Sequence, residues 1–222
     1  MIEPPIHAVL FDLDGTLADT APDLAGALNA MRLARGLEPM PLAELRPFAS
    51  MGARGLIGKG LGVDRDDEAF PELRDEFLGR YEADMVRETR VFDGMHEVLD
   101  RLEASGLRWG VVSNKFERYV RQVLAGLDLL ERAACVVGGD TTPTPKPHPA
   151  PLLLGAQQVG VQAGGCVYVG DDLRDIEAGR AARMRTIAAA YGYCGDASPP
   201  HAWGADHVVD TPGSVLEVLR LA

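Results

Sequence analysis

Asp12-Leu13-Asp14-Gly15-Thr16 places two carboxylates two residues apart at the end of the apolar run Ile6–Phe11. Residues so spaced at a strand end share a face, so both acids can enter one site while Leu13 points away. Such a pair can hold a divalent cation through hard oxygen ligands. Gly15 lets the backbone turn close to a ligand, and Thr16 offers a hydroxyl and an N–H to an anion. Taken alone, the pentapeptide fits an Asp-rich turn or a fragment of a calcium loop equally well.

Three more polar clusters follow along the chain. Ser113-Asn114 supplies hydroxyl and N–H donors suited to phosphate oxygens, and it also suits a turn or a helix N-cap. Lys146 lies between Pro145 and Pro147. That rigid setting could hold a positive charge against a phosphoryl group, or simply carry a solvated lysine or a proline-rich ligand motif. Gly170-Asp171-Asp172-Leu173-Arg174-Asp175 adds three carboxylates, with Asp171 and Asp175 one helical turn apart and Arg174 available to neutralise part of the charge. An Asp-rich helix N-terminus, favoured by the helix dipole, is the plain alternative.

Asp12, Ser113-Asn114 and the 170–175 cluster each end a short apolar run, and Lys146 lies in the loop after another. Ile6–Phe11, Arg108–Val112, Cys135–Val137, Cys166–Val169, Thr186–Ala190 and His207–Val209 read as strands. Helical patterns over Glu97–Ser105, Tyr119–Leu130 and Pro151–Val159 separate several of them, with Gly106 as a stop. The alternation predicts an α/β fold, a Rossmann-like parallel sheet with helices on both faces and ligands beyond the carboxyl ends of the strands. Between about Asp19 and Arg90 no strand is evident. Helical patterns over Pro22–Arg35, stopped by Gly36, and over Pro71–Val86 predict an inserted all-helical cap. The expected division is 1–18 with 91–222 as catalytic core and 19–90 as cap domain.

Composition narrows the function classes. The 222 residues carry a net charge of −11, with 46% hydrophobic and 25% charged residues. An acidic chain argues against nucleic-acid binding, which needs clustered Lys and Arg, but leaves room for an anionic small molecule in a locally positive pocket. Three cysteines at wide spacing form neither a disulfide framework nor a zinc pattern. The start of the chain lacks a signal-peptide pattern and no run approaches a membrane span, so a cytoplasmic location and no membrane partner are expected. Oligomeric state leaves no mark in the pattern.

The order DxDGT, SN, K and GDDxxxD resembles the haloacid dehalogenase (HAD) superfamily of phosphohydrolases, and the insertion resembles its helical C1-type cap. FDLDGTLADTAPDL, VFDGMHEVLDRLEASGLRWGVVSNK and VGDDLRDIEAGRAA resemble the phosphoglycolate phosphatases within it. TIAAAYGYCGD and WGADHVVD also resemble the related N-acetylmuramic acid 6-phosphate phosphatases. Arg183 departs from the pattern, standing where relatives often carry Gly.

The resemblance implies Asp12 as nucleophile and Asp14 as general acid–base. Mg²⁺ would be held by Asp12, Asp14 (also through its carbonyl), Asp171 and Asp175, with Asp175 the weaker or indirect partner. Gly15, Thr16, Ser113, Asn114 and Lys146 would hold phosphate. The implied substrate is a small phosphorylated metabolite, 2-phosphoglycolate first and N-acetylmuramic acid 6-phosphate second. A sugar phosphomutase or a non-catalytic binding protein on the same fold are further readings. Specificity is expected in the cap, with Arg54 the first choice to meet a substrate carboxylate, then Arg46 and Lys59.

Overall fold

A computed structural model describes residues 5–195 and 198–221. The first four residues and Asp196, the last residue of the TIAAAYGYCGD stretch, lie outside the described residues. In chain order the elements are β1 (Ala8–Phe11), β2 (Ala18–Asp19), α1 (Ala21–Ala34), α2 (Leu42–Leu45), α3 (Gly52–Leu61), α4 (Phe70–Ala83) and β3 (Arg90–Val91). They continue with α5 (Met95–Ala104), β4 (Arg108–Val112), α6 (Glu117–Gly126), β5 (Val136–Val137), α7 (Ala150–Gln158) and β6 (Cys166–Gly170). The last are α8 (Leu173–Ala181), β7 (Arg185–Ala189), β8 (His207–Val209) and α9 (Ser214–Leu219).

Six strands form one parallel sheet in the order β5-β4-β1-β6-β7-β8. β1 lies between β4 and β6, with Phe11 opposite both Val111 and Val169. The chain builds outward through β4 and β5, then returns to the other side of β1. That reversal opens a crevice at the carboxyl ends of β1, β4 and β6, where ligands bind in sheets of this kind. Asp12, Ser113 and Asp171 each follow one of these strands, so residues far apart in sequence meet there.

The period of two sorts the sheet's faces. Val9, Phe11, Trp109, Val111, Val167 and Val169 pack with α5, α6 and α9 on one side. Ala8, Leu10, Val112 and Tyr168 pack with α7 and α8 on the other. Gly36 and Gly106 follow their helices with φ of 70° and 75°, the left-handed stops the sequence predicts. Arg183 also adopts positive φ, at 59°, a position where Gly would be unstrained.

The segment between β2 and β3 has its own apolar cluster, including Leu24, Leu28, Met31, Leu56, Phe77 and Tyr81. Burial of each Leu or Met there is worth about 1.5–3 kcal/mol. The half-exposed Arg35–Glu76 ion pair on the same helices belongs to a class worth about 0–1 kcal/mol. Apolar packing therefore holds this unit together.

Two features were not visible in the hydrophobic pattern. The first is α3, whose sequence GARGLIGKGL has poor helix propensity. It forms because Leu56 and Ile57 are buried and because Gly60 lets it close on α1; a Cβ at Gly60 would lie 2.5 Å from Leu28 Cδ2. The second is the two-strand antiparallel ribbon β2–β3, which pairs Ala18 with Val91 and Asp19 with Arg90 where the chain leaves and re-enters the sheet unit. Strands of two residues are too short for an alternation signal.

Asp23, in the first turn of α1, secures this crossing. Its carboxylate accepts from the Glu88 and Thr89 N–H groups at 2.9 Å and from the Thr89 hydroxyl at 2.6 Å. Asp23→Ala strands these buried donors, so a loss of about 2–3 kcal/mol of unfolding free energy is expected in urea titrations; an unchanged midpoint would contradict this role.

Candidate active site

Lys146 is buried against the ends of β1, β4 and β6. Its Nζ lies 2.7 Å from Asp175 Oδ1, 2.8 Å from the Tyr168 hydroxyl and 3.1 Å from Asp12 Oδ2, and donates to the Val112 carbonyl at 3.2 Å. Burial pulls the ammonium's pKa down, but Asp12 and Asp175 outweigh it, so the net shift is upward. The Asn114 amide fixes this lysine: Oδ1 accepts from Lys146 N–H at 2.9 Å and Nδ2 donates to its carbonyl at 3.0 Å.

Asp12, Asp171 and Asp175 bring carboxylate oxygens within 4.8 Å of one another. Burial, reinforced by Asp12 and Asp175, pushes the Asp171 acid well above the usual carboxylate range. Asp175 is pushed up to about 7, by burial and Asp12 against the opposing Lys146 charge. Crowded, buried, all-oxygen donors of this kind suit a hard divalent cation, which would supply the missing positive charge.

Donors already engage both oxygens of each of the two buried acids. Asp171 accepts from the Thr16 hydroxyl at 2.7 Å and the Tyr193 N–H at 2.9 Å. Both oxygens of Asp175 are engaged, one by Lys146 and the other by Asp172 N–H at 3.0 Å as a capping box of α8. Gly15 is required where it stands: φ is 84°, and a Cβ would lie 2.2 Å from Asp171 Oδ2.

The Asp14 carboxylate faces elsewhere. Lys115 Nζ donates to Oδ1 at 2.9 Å and to Oδ2 at 3.2 Å, and Thr20 Oγ1 donates to Oδ1. Lys115 is buried between this acid and α4, with Nζ 4.6 Å from the centroid of the Tyr81 ring. Burial lowers the pKa of Lys115 and Asp14 more than reverses it, so it stays charged.

Asp12, Asp14, Ser113, Lys115 and Lys146 open on one cavity of about 350 Å³. Its far wall comes from Ser50–Ala53 and from Arg74, Phe77, Leu78 and Tyr81 of α4. Arg174 ties the two sides, pairing with Asp172 at 2.7 Å and donating to the Ser50 carbonyl at 3.0 Å.

Paired acids at a sheet's switch point, a buried lysine beside the first and a helical unit across the cavity agree with what sequence comparison returns. The haloacid dehalogenase-like hydrolase profile matches residues 9–189. The chain belongs to the haloacid dehalogenase-like hydrolases. It is 46% identical over 211 residues to a phosphoglycolate phosphatase of Xanthomonas campestris pv. campestris, covering 95% of each chain. It is 42% identical over 217 residues to an N-acetylmuramic acid 6-phosphate phosphatase of Pseudomonas aeruginosa, covering 98% of this chain and 96% of the relative. Among solved structures, a predicted phosphoglycolate phosphatase from Haemophilus somnus 129pt matches with TM-score 0.84 and 25% identity, over 96% of this chain and 97% of that one. CbbY from Rhodobacter sphaeroides, in complex with phosphate, shares the fold with TM-score 0.75 and 23% identity, covering 95% and 96%.

Within this hydrolase fold the structure refines several residues singled out from sequence. Asp12, Asp171, Asp175 and Lys146 converge, and Ser113 lines the cavity. The Asn114 side chain is spent on the Lys146 backbone, and the Thr16 hydroxyl on Asp171, so these groups position other residues. Asp14's carboxylate lies outside the acidic cluster. Arg46, Arg54 and Lys59 are not among the cavity-lining residues. Arg46 pairs with Asp19 at 2.8 Å, Arg54 is exposed, and Lys59 stacks over Phe48.

Lys115, Tyr81 and Tyr193 were missed. Lys115 follows the Ser113-Asn114 cluster immediately and is the one whose position hinted at a role. The Tyr193 hydroxyl accepts from the Thr20 and Ala21 N–H groups at 2.8 Å and donates to Asp19 at 3.0 Å, a contact that no linear motif marks.

A cation at Asp171 and Asp175 must displace protons held there at low pH. Divalent-cation affinity is therefore expected to strengthen as pH rises through about 7, with proton release on binding. Calorimetry in buffers of different ionisation enthalpy measures both, and an affinity independent of pH across that range would contradict this.

Among the described residues no helix is long and apolar enough to cross a membrane.

Proposed function

We propose that this hydrolase removes phosphate from a small carboxylate-bearing phosphomonoester through an aspartyl-phosphate on Asp12, with 2-phosphoglycolate the preferred substrate. The supporting observation is the placement of Asp12 and Asp14 on one cavity with different partners. Asp12 Oδ1 accepts from Leu13 N–H at 2.7 Å and Oδ2 lies beside Lys146 at 3.1 Å, which orients the carboxylate. Asp14 is separated from that charge cluster and held by Lys115 and Thr20. Two acids in different environments suit two different roles.

In the first step an Asp12 oxygen forms a bond to phosphorus as the bond to the leaving oxygen breaks, and Asp14 gives that oxygen its proton. In the second, Asp14 takes a proton from water as the water oxygen bonds to phosphorus. Inorganic phosphate leaves and the Asp12 carboxylate returns. Lys146 and Ser113 stand where they can stabilise charge on the phosphoryl oxygens. Mg²⁺, held by Asp12 and Asp171 with Asp175 beside them, would screen repulsion between carboxylate and phosphoryl group. The acidic cluster supports this choice of hard cation.

The substrate preference rests on the phosphoglycolate phosphatases at 46% identity. N-Acetylmuramic acid 6-phosphate is the second reading, favoured by a cavity of about 350 Å³ with Phe77, Leu78, Phe116 and Tyr119 among its walls, more room than a two-carbon acid needs. Cytoplasmic location belongs to the same reading.

Steady-state assays on 2-phosphoglycolate, N-acetylmuramic acid 6-phosphate and sugar phosphates test this. The wild type is expected to require Mg²⁺ and to show its highest kcat/KM on 2-phosphoglycolate. Asp12→Asn is expected to lose at least about 10³-fold in kcat, the scale of removing a nucleophile. Full activity in Asp12→Asn, or turnover undiminished by chelation, would overturn the mechanism. A higher kcat/KM on N-acetylmuramic acid 6-phosphate would select the second substrate.

A further inference from the structure

The cavity wall carries one cation that no acid of the site claims. Lys115 is bound to Asp14 at 2.9 Å, Lys146 to Asp12 at 3.1 Å and Asp175 at 2.7 Å, and Arg174 to Asp172 at 2.7 Å. All of these groups line the cavity. Arg74 lines it too, and among the described residues it is the only charged side chain that the helical unit contributes to the wall. Its partner is Asp75, at 2.7 Å, which does not line the cavity. With side chains 47% and 69% exposed, this pair is of the surface kind that contributes little and is readily exchanged. It also occupies only part of the guanidinium. Nε and Nη2 converge on one Asp75 oxygen, and Nη1 has no partner among the described residues.

The place of Arg74 on α4 defines what it can meet. Arg74, Phe77, Leu78 and Tyr81 follow the i, i+3, i+4, i+7 spacing of one helix face, and all four line the cavity. Tyr81 marks the end of that face nearest the proposed acid–base, since Lys115 Nζ lies 4.6 Å from its ring centroid and donates to Asp14. Arg74 stands two turns away, about 10 Å along the axis at 1.5 Å per residue. The apolar Phe77 and Leu78 lie between. A leaving group placed beside Asp14 for protonation therefore runs past an apolar stretch before it reaches a cation. The carboxylate of 2-phosphoglycolate, two bonds from the ester oxygen, stays close to the phosphoryl site. A ring-sized leaving group with an anion on its far side spans the distance.

We propose that Arg74 is a distal specificity residue, receiving a carboxylate that the substrate carries across a ring from its phosphate. The planar guanidinium matches both carboxylate oxygens at once. This rests on the phosphatase reading above and deepens its second substrate, since N-acetylmuramic acid 6-phosphate bears its carboxylate on a lactyl group across the sugar ring from the phosphoester. Two-carbon acids are turned over without this contact. The carboxylate partner thus moves from Arg54, Arg46 and Lys59, which stand off the cavity, to a cation on its wall.

The test compares kcat/KM for N-acetylmuramic acid 6-phosphate with that for N-acetylglucosamine 6-phosphate, the same sugar phosphate without the lactyl carboxylate, in wild type and Arg74→Gln. The ratio of the two substrates on one preparation is independent of the folded fraction, so partial misfolding cannot imitate the effect. The wild-type ratio is expected to exceed one and to fall about tenfold in Arg74→Gln, the scale of hydrogen bonding between charged groups. A raised KM is expected to carry most of that fall, as ground-state contact requires. A ratio unchanged by the substitution, or a wild type that does not prefer the carboxylate, would overturn the distal subsite. So would a wild type that with Mg²⁺ hydrolyses 2-phosphoglycolate and neither sugar phosphate, an outcome that leaves the phosphatase reading standing. A wild type that hydrolyses none of the three removes that reading, and the subsite with it.

Discussion

One buried ammonium makes the rest of the site possible. Asp12, Asp171 and Asp175 crowd the carboxyl edge of the sheet, and carboxylates so placed repel one another and lose their hydration. Lys146 lies between two of them, with the Tyr168 hydroxyl and the Val112 carbonyl completing its shell. Even so, Asp171 and Asp175 stay above the ordinary carboxylate range. One lysine does not balance the cluster. The remaining deficit is what a divalent cation is suited to address, before an anionic phosphoryl group can enter the same pocket.

The parts that set this geometry differ in how plainly they are written in the sequence. Short apolar runs ending in Asp12, Ser113 and Asp171 mark strands and their functional ends, because burial on both faces of a parallel sheet leaves continuous hydrophobic stretches. Gly36 and Gly106 mark helix ends because only glycine enters the left-handed region freely. Both signals are local. Lys115 carries no such mark, since its burial depends on α4, more than thirty positions away, closing over the loop after β4. The cap cations are no plainer: charge and nearby glycines point to Arg54, which follows the Ser50–Ala53 wall directly without itself lining the cavity. Asn114 and Thr16 have donor chemistry suited to phosphate, and their partners turn out to be the Lys146 backbone and the Asp171 carboxylate.

Several contacts couple the helical unit to the sheet at the site itself. Arg174 grips Asp172 and the Ser50 carbonyl, and Tyr193 joins the Asp171 carboxylate to the start of α1 through its N–H and hydroxyl. The antiparallel ribbon β2–β3 carries the chain between the units a few residues from Asp14. A change in the helical unit's position would therefore alter Asp171, Asp172 and the Lys115–Tyr81 contact together. Movement of the helical unit on substrate entry would rearrange the reactive groups as well.

Everything proposed about the reaction requires a phosphorylated Asp12. Rapid quenching during turnover of 2-phosphoglycolate with Mg²⁺, borohydride reduction and peptide mass spectrometry reads this residue by residue, because an acyl-phosphate is reduced to an alcohol while a free carboxylate is not. Homoserine at position 12, appearing with turnover and absent without substrate, is the expected result. Turnover with position 12 unmodified, or with the reduced residue elsewhere, would contradict the assignment of Asp12 as nucleophile.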